Sequence, residues 1–351
     1  MTVKASYRKH TLQFIRPAGT SRGTYLTKES WFLSLSDGKK TGIGECSLLK
    51  ELSIDDRPDF EEKLSQVCEE IDNGTFNFSQ KLADFPALKF GLETALLDLQ
   101  NGGKKILFPS LFTKGKVGIP TNGLIWMGDK TYMREQIAQK LEKGFSCIKL
   151  KIGAIDWQTE HEIIAEMRKR FPPSELTIRV DANGAYTPKQ AEKLLAELAK
   201  LNVHSIEQPI KAGQPNEMAK LCASSPIPIA LDEELIGKNT TEQKINLIEK
   251  IKPQFLILKP SLLGGFQASD EWISFAEKQG IGWWATSALE SNIGLNAISQ
   301  WIFTKKPTLP QGLGTGMLYS NNIDSPLKLI KDKMYYNTSK SWNTEVLEVE
   351  N

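Results

Sequence analysis

Residues 147–184 read CIKLKIGAIDWQTEHEIIAEMRKRFPPSELTIRVDANG, and this stretch decides the architecture. It opens on a β-rich run, CIKLKIG (147–153), and closes on another, LTIRVDANG (176–184), with a helical piece between. Working outward from residue 117, the same alternation recurs. The further strand-like runs are VGIPTNGLIWMG (117–128), HSIEQPI (204–210), IPIALDEEL (227–235), FLILKPSLLGG (255–265), IGWWATSALES (281–291) and QGLGTG (311–316). Helical pieces such as TPKQAEKLLAELAKLN (187–202) separate them. Eight such runs spaced about 23–30 residues apart predict eight βα units and a closed (β/α)₈ TIM barrel. The rival is an open doubly wound sheet. It normally carries G-x-G-x-x-G after its first strand, and only a G-x-G-x-G run, Gly312, Gly314 and Gly316, occurs here, on the last strand.

The N-terminal residues have a different texture and predict an α+β capping domain over residues 1–112. Residues 30–36 and 40–46 are strand-like and meet at Asp37-Gly38, a hairpin-turn pair. RPAGTSRGTYLT (16–27) reads as a long surface loop able to serve as a lid. Helices are expected over 58–72, with Pro58 in the first turn, and over 86–100, ended by Asn101-Gly102-Gly103. The barrel then occupies 113–317. The segment 318–351 is expected to return to the cap, so that the cap is discontinuous in sequence.

Composition excludes several function classes. The chain has 351 residues, with 44 Lys and Arg against 42 Asp and Glu, a net charge of +2 that argues against a nucleic-acid or polybasic membrane surface. Cys46, Cys68, Cys147 and Cys222 form no C-x-x-C pair and read as reduced thiols. The start, MTVKASYRKHTLQF, lacks the apolar core of a signal peptide, and no run approaches the ~18 apolar residues of a membrane span. The expectation is a cytoplasmic enzyme acting on a small molecule, of unspecified oligomeric state.

In such a barrel, polar residues at the C-terminal strand ends face the active site. Lys149 and Lys151 end strand 2, Asp181 and Asn183 strand 3, Glu207 strand 4, Asp232 strand 5 and Lys259 strand 6. Residues at i and i+2 share a face, so each pair on strands 2 and 3 points one way. Any one of these charges alone is ordinarily a solvated loop residue. Five consecutive strands bearing charge at the equivalent end are not explained so simply. Asp181, Glu207 and Asp232 offer oxygen ligands to a hard cation such as Mg²⁺, with Mn²⁺ as a substitute. The lysines flank this acidic arc.

The motifs Lys149-Leu150-Lys151, Val180-Asp181-Ala182-Asn183, Ile206-Glu207-Gln208-Pro209, Leu231-Asp232-Glu233-Glu234 and Leu258-Lys259-Pro260 resemble those of the enolase superfamily, in its muconate-lactonizing-enzyme-like subgroup. Gly44-Glu45-Cys46-Ser47, Asn122–Gly128, Ser287–Ser291 and Gly312–Gly316 are similar to the o-succinylbenzoate synthase family within it. The resemblance implies Mg²⁺-assisted dehydration of 2-succinyl-6-hydroxy-2,4-cyclohexadiene-1-carboxylate in menaquinone biosynthesis, through an enediolate. It makes Lys151 the base, Lys259 the cation across the ring, and Lys149 a support for the carboxylate end. It makes Asn183 and Glu233 or Glu234 neighbours of the metal ligands. The loops Gly19–Thr27, with Arg22, and Leu48–Ser53 lie where the family has its specificity loops. Arg22, Asn183, Ser287, Gly314 and Thr315 are candidate substrate contacts.

Other readings stay open. N-acylamino-acid racemases and dipeptide epimerases use the same two lysines, but Leu313-Gly314-Thr315-Gly316 lacks the acidic residues that hold a dipeptide ammonium. Acid dehydratases with a histidine base are disfavoured, since His10, His161 and His204 all lie away from strand 7. His161-Glu162 does not continue as H-E-x-x-H and reads as helix surface. A catalytically dead binding barrel is the alternative from another class.

Overall fold

The structure, a computed structural model, describes residues 3–20, 23–77 and 82–347, without the side chains of 19, 20 and 23. The chain enters through an antiparallel sheet of β1 (Lys4–Thr20), β2 (Gly23–Ser36) and β3 (Thr41–Ser47). The expected lid loop over 16–27 is therefore largely the end of a long hairpin. Its Pro and Gly suggested a loop, but a register shift between Gln13 and Ala18 absorbs the irregularity, and pairing resumes at Ala18↔Tyr25. Helix α1 (Phe60–Asp72) starts two residues after Pro58, with Asp59 at its N-cap, rather than on the proline.

Helix α2 (Pro86–Gln100) lies directly on β3. Gly42, Gly44 and Gly91 permit this, because a Cβ on Gly44 would overlap the Gly91 carbonyl and one on Gly42 the Ala95 carbonyl. The same helix reaches the barrel. Glu93 accepts from the N–H groups of Phe266 and Gln267, and Phe90 meets Phe266 edge-on at 5.4 Å.

The barrel follows β4 (Ile119–Pro120) and alternates β5 (Gly123–Ile125), α3 (Lys130–Glu142), β6 (Cys147–Lys151), α4 (Trp157–Arg170), β7 (Thr177–Asp181), α5 (Pro188–Lys200), β8 (Ser205–Glu207), α6 (Pro215–Ser224), β9 (Ile229–Leu231), α7 (Thr241–Ile251), β10 (Phe255–Leu258), α8 (Pro260–Leu263), α9 (Gly265–Lys278), β11 (Gly282–Ala285) and α10 (Asn292–Thr304). Strands β5 to β11 form one parallel sheet in sequence order. The ring closes through Gln311 and Gly312, which bridge in parallel to Thr121 and Thr286. Gln311 N–H donates to the Pro120 carbonyl at 2.8 Å and Gly312 N–H to that of Ala285 at 2.8 Å.

The fold is a modified (β/α)₈ barrel, but its eighth unit differs from the expected one. Its strand is reduced to these bridges, and the chain passes to β12 (Leu327–Ile330) without a helix. The first strand is also split. Pro120 has no N–H to give, and Ile119–Pro120 pairs with β13 (Lys333–Tyr336) while Gly123–Ile125 pairs with β6. The tail thus contacts two places. Leu318–Asn321 bonds to the β1 backbone, and Ile323 and Leu347 pack with Phe32 and Ile43 of the cap, whereas β12 and β13 form a sheet with β4 at the start of the first barrel strand.

Register positions the chemistry. Lys151 lies opposite Asp181, Asp181 opposite Glu207, and Glu207 opposite Ala230. The strand ends therefore carry their charges in one row. One layer down, Lys149 lies opposite Arg179 and Arg179 opposite Ser205. The interior below holds Ala230, Ile257 and Trp284, with the Arg179 guanidinium 3.9 Å from the Trp284 ring centre.

Candidate active site

Strands β6 to β8 end on charged residues, and Asp232 directly follows β9. Lys149 Nζ lies 2.9 Å from Asp181 Oδ2 and 2.6 Å from Glu207 Oε2. Lys151 Nζ donates to Asn183 Oδ1 at 2.6 Å and lies 3.3 Å from Asp181 Oδ2. Lys259, just past β10, forms a close ion pair with Asp232. Strands β6 and β10 are four places apart in a ring of eight, so Lys151 and Lys259 stand on opposite sides of the mouth. Asn183 Nδ2 donates to Glu233 Oε1 at 3.0 Å, whereas Glu234 turns away to accept from the Gly213 N–H. Of the two neighbouring acids, Glu233 therefore borders the site.

Burial disfavours charge on these groups, and their mutual fields decide the outcome. Lys149 is pulled down by burial, but Asp181 and Glu207 outweigh this and push it up to about 12. Lys259 is likewise held above the ordinary lysine range by Asp232 and Glu207 against its burial. Asp181 is held far below the carboxylate range, since Lys149, Lys151 and Lys259 overcome its burial. Glu207 is pushed well up by burial and by Asp181, and Glu233 rises through burial and Asp232.

Two features bear on a cation. The donor set is all carboxylate oxygen, and Glu207 Oε1 is buried without a partner. Among the described residues no three acidic, histidine or cysteine side chains already stand at ligand spacing; Lys149 and Lys259 lie between the acids. An all-oxygen set of this kind has the donor chemistry that suits a hard divalent ion, and here the acids are paired with Lys149 and Lys259 instead.

A cavity opens above this row. Its floor is Lys149, Lys151, Asp181, Asn183, Glu233 and Lys259. Ser287, Gly314 and Thr315 line it, and so do Leu49 and Leu52 of the cap loop. Arg22 lies outside the described residues. Sequence reasoning did not assign Asn122, Trp126, Thr286 and Leu289 to the wall. Thr286 was accessible to it, being two residues beyond the inward Trp284. The side-chain oxygens of Asn122, Thr286 and Thr315 are buried without partners, so the wall offers unsatisfied polar groups. Gln208 was also missed. Its Oε1 accepts from the Asp232 and Glu234 N–H groups and fixes the turn that aims Asp232 inward.

A profile of the family described as enolase C-terminal domain-like matches residues 132–332. The chain is 47% identical to an o-succinylbenzoate synthase of Desulfotalea psychrophila, over 93% of this chain and 96% of that one. A crystal structure of MenC from the same organism superposes with a TM-score of 0.84, covering 95% of this chain and 100% of that one at 43% identity. A dipeptide epimerase from Enterococcus faecalis, complexed with Mg and a dipeptide, shares the fold at a TM-score of 0.82 and 19% identity, over 96% of this chain and 97% of that one. The chain belongs to the enolase superfamily. Within it, the family is that of the o-succinylbenzoate synthases, which are carbon–oxygen lyases.

Proposed function

We propose that this chain dehydrates 2-succinyl-6-hydroxy-2,4-cyclohexadiene-1-carboxylate to 2-succinylbenzoate, as a step of menaquinone biosynthesis in the cytoplasm. The observation that carries this reading is the pair Lys151 and Lys259 on opposite sides of one cavity, above buried Asp181, Glu207 and Asp232. Lys151 takes the proton α to the ring carboxylate. The C–H electrons move into the carboxylate as an enediolate. The hydroxyl on the adjacent carbon then leaves, taking a proton from the Lys151 ammonium as water, and the ring becomes aromatic. One lysine can serve both transfers because both groups lie on one face of the ring. Lys259 stays charged on the other face and stabilises the charge that develops. Asp181, Glu207 and Asp232 would hold Mg²⁺, which when bound supplies positive charge to the substrate carboxylate. Ser287, Gly314, Thr315 and Asn183 would contact the substrate, and Lys149 would hold the acidic ligands in place. The chain is organised for this as a cap (1–112), a barrel (113–317) and a returning segment (318–351).

The test is incubation with the cyclohexadiene and Mg²⁺, following the ultraviolet absorbance of the aromatic product. No turnover, or turnover that survives Lys151→Ala, overturns the reading. Two lysines facing one cavity also suit proton exchange at an N-acylamino-acid α-carbon. N-succinylamino acids in deuterated water are therefore assayed in parallel.

A further inference from the structure

Glu45, on β3, is fully buried and does not line the cavity. Its carboxylate reaches out of the cap into the barrel. Oε1 accepts from Ser30 Oγ at 2.8 Å and from the Ser291 N–H at 2.9 Å. Oε2 accepts from Ser291 Oγ at 2.6 Å and from the Gly294 N–H at 2.9 Å. Ser291 and Gly294 belong to the first turn of α10, where a negative charge is favoured by the helix dipole. Gly294 lets the carboxylate approach, since a Cβ there would meet Glu45 Oε2 and the Glu290 side chain. Behind Ser30, Lys28 Nζ donates to Ser30 Oγ at 2.9 Å and Ser47 Oγ at 2.7 Å, which places a cation one hydroxyl away.

The turn just before Ser291 forms part of the cavity wall through Ser287, Ala288 and Leu289. Leu289 sits at φ 62°, a left-handed conformation costly for leucine, and therefore must be held there. Tyr319 OH donates to its carbonyl at 2.6 Å, and Ser287 Oγ, bonded to Glu290, accepts its N–H. Leu49 and Leu52, which also line the cavity, follow Glu45 by four and seven residues in the chain.

We propose that Glu45 is a positioning residue that latches the cap to the β11–α10 turn. It fixes the spacing between Leu49 and Leu52 on one side and Leu289 on the other. It thereby sets the fit of the non-reacting, succinyl-bearing end of the substrate, without touching the reacting atoms. This assignment rests on the reading of the cavity as the dehydration site.

The test is Glu45→Gln. Each carboxylate oxygen takes one backbone N–H, and an amide can accept only one of them, so the other faces an NH₂ group. Loss of a hydrogen bond to a charged acceptor predicts a KM for the cyclohexadiene raised about tenfold, with kcat within about threefold. Amide hydrogen exchange across residues 287–294 should quicken. A folded variant with unchanged KM and unchanged exchange overturns the proposal. Should Glu45→Gln fail to fold, Ser291→Ala and Ser291→Thr decide: alanine raises KM and threonine restores it, whereas equal KM values overturn the latch. Absence of turnover in the parent chain would remove the dehydration reading instead. The exchange measurement on Glu45→Gln still judges the latch in that case, with quicker exchange supporting it and unchanged exchange overturning it.

Discussion

Lys151 Nζ donates to Asn183 Oδ1 across 2.6 Å. Asn183 is held for this task. It sits at φ 44°, its N–H donates to Asp181 Oδ1 at 3.1 Å, and its amide nitrogen donates to Glu233. With Nδ2 committed to a carboxylate, Oδ1 is left facing the lysine. An acceptor at that place stabilises the ammonium that Lys151 becomes after taking a proton, and holds it still for the second transfer. Lys151→Ala should lower kcat by ~10³ or more, the scale of general acid–base catalysis. Asn183→Ala should lower kcat about tenfold, as expected for one hydrogen bond to a charged group, and should also raise KM because Asn183 lines the cavity. Steady-state kinetics check both, and an Asn183→Ala enzyme with parental kcat would remove the positioning role.

Divalent cation should be required and should stabilise the fold. Asp181, Glu207 and Asp232 are all almost completely buried, and their charges are balanced by lysines. Dialysis against a chelator should abolish turnover, and Mg²⁺ or Mn²⁺ should restore it. A ligand bound only by the folded state raises the melting temperature as its concentration rises. That rise should be present in the parent and strongly weakened in Asp232→Asn. Full activity after exhaustive chelation would refute the requirement.

The rim of the barrel was legible from Lys149 to Lys259 because it depends on local rules. A strand alternates its faces, and a charge after an apolar run marks the strand end, so each position could be read alone. Parallel pairing then lined up Lys151, Asp181 and Glu207 at one level. Gln311 and Gly312 were placed as the eighth strand by the regular spacing of the runs, and the structure keeps them there, but only as two bridges, because the glycines that follow supply no side chains to pack a longer strand. The far end of the β1–β2 hairpin was hidden by Pro17 and Gly19, which ordinarily mark loops. Glu45 was visible only as part of a motif. Its partner Ser291 is 246 residues away, and no spacing rule connects them.

Asp55 should make stability fall as pH rises. Its Oδ2 accepts from the Ala87 N–H at 2.8 Å at the start of α2, while Oδ1 is buried without a partner. Burial outweighs the backbone hydrogen bonds and raises this carboxyl from 3.8 to about 7. The folded chain therefore keeps a proton that the unfolded chain sheds between pH 4 and 7. Stability from this group is intact below that window and lost across it, by up to about 4 kcal/mol. Asp55→Asn has nearly the same shape and no titration. The melting temperature of the variant relative to the parent should grow more favourable from pH 5 to pH 8. A constant difference across that range would show that Asp55 stays ionised throughout.

Gly44 should tolerate no side chain. A methyl group there would strike the Gly91 carbonyl, and the next atoms in its way are also backbone, so no rotamer can yield. β3 and α2 would have to separate along the face that carries Leu88, Leu92 and Ala95 into the cap core. Overpacking of this kind costs about 1–3 kcal/mol or more. Gly38→Ala is the matched control. It lies at φ 84° in the β2–β3 turn with open space around it, so it tests backbone strain alone. Denaturant unfolding should show Gly44→Ala the more damaging of the two. The damage should also reach the site, because Gly44 precedes Glu45 and displacing β3 pulls that carboxylate from Ser291. Gly44→Ala should therefore raise KM in the fraction that remains folded, while Gly38→Ala leaves KM unchanged. Equal stability losses and equal KM values in the two variants would mean that the cap can slide on α2 without moving the wall of the cavity.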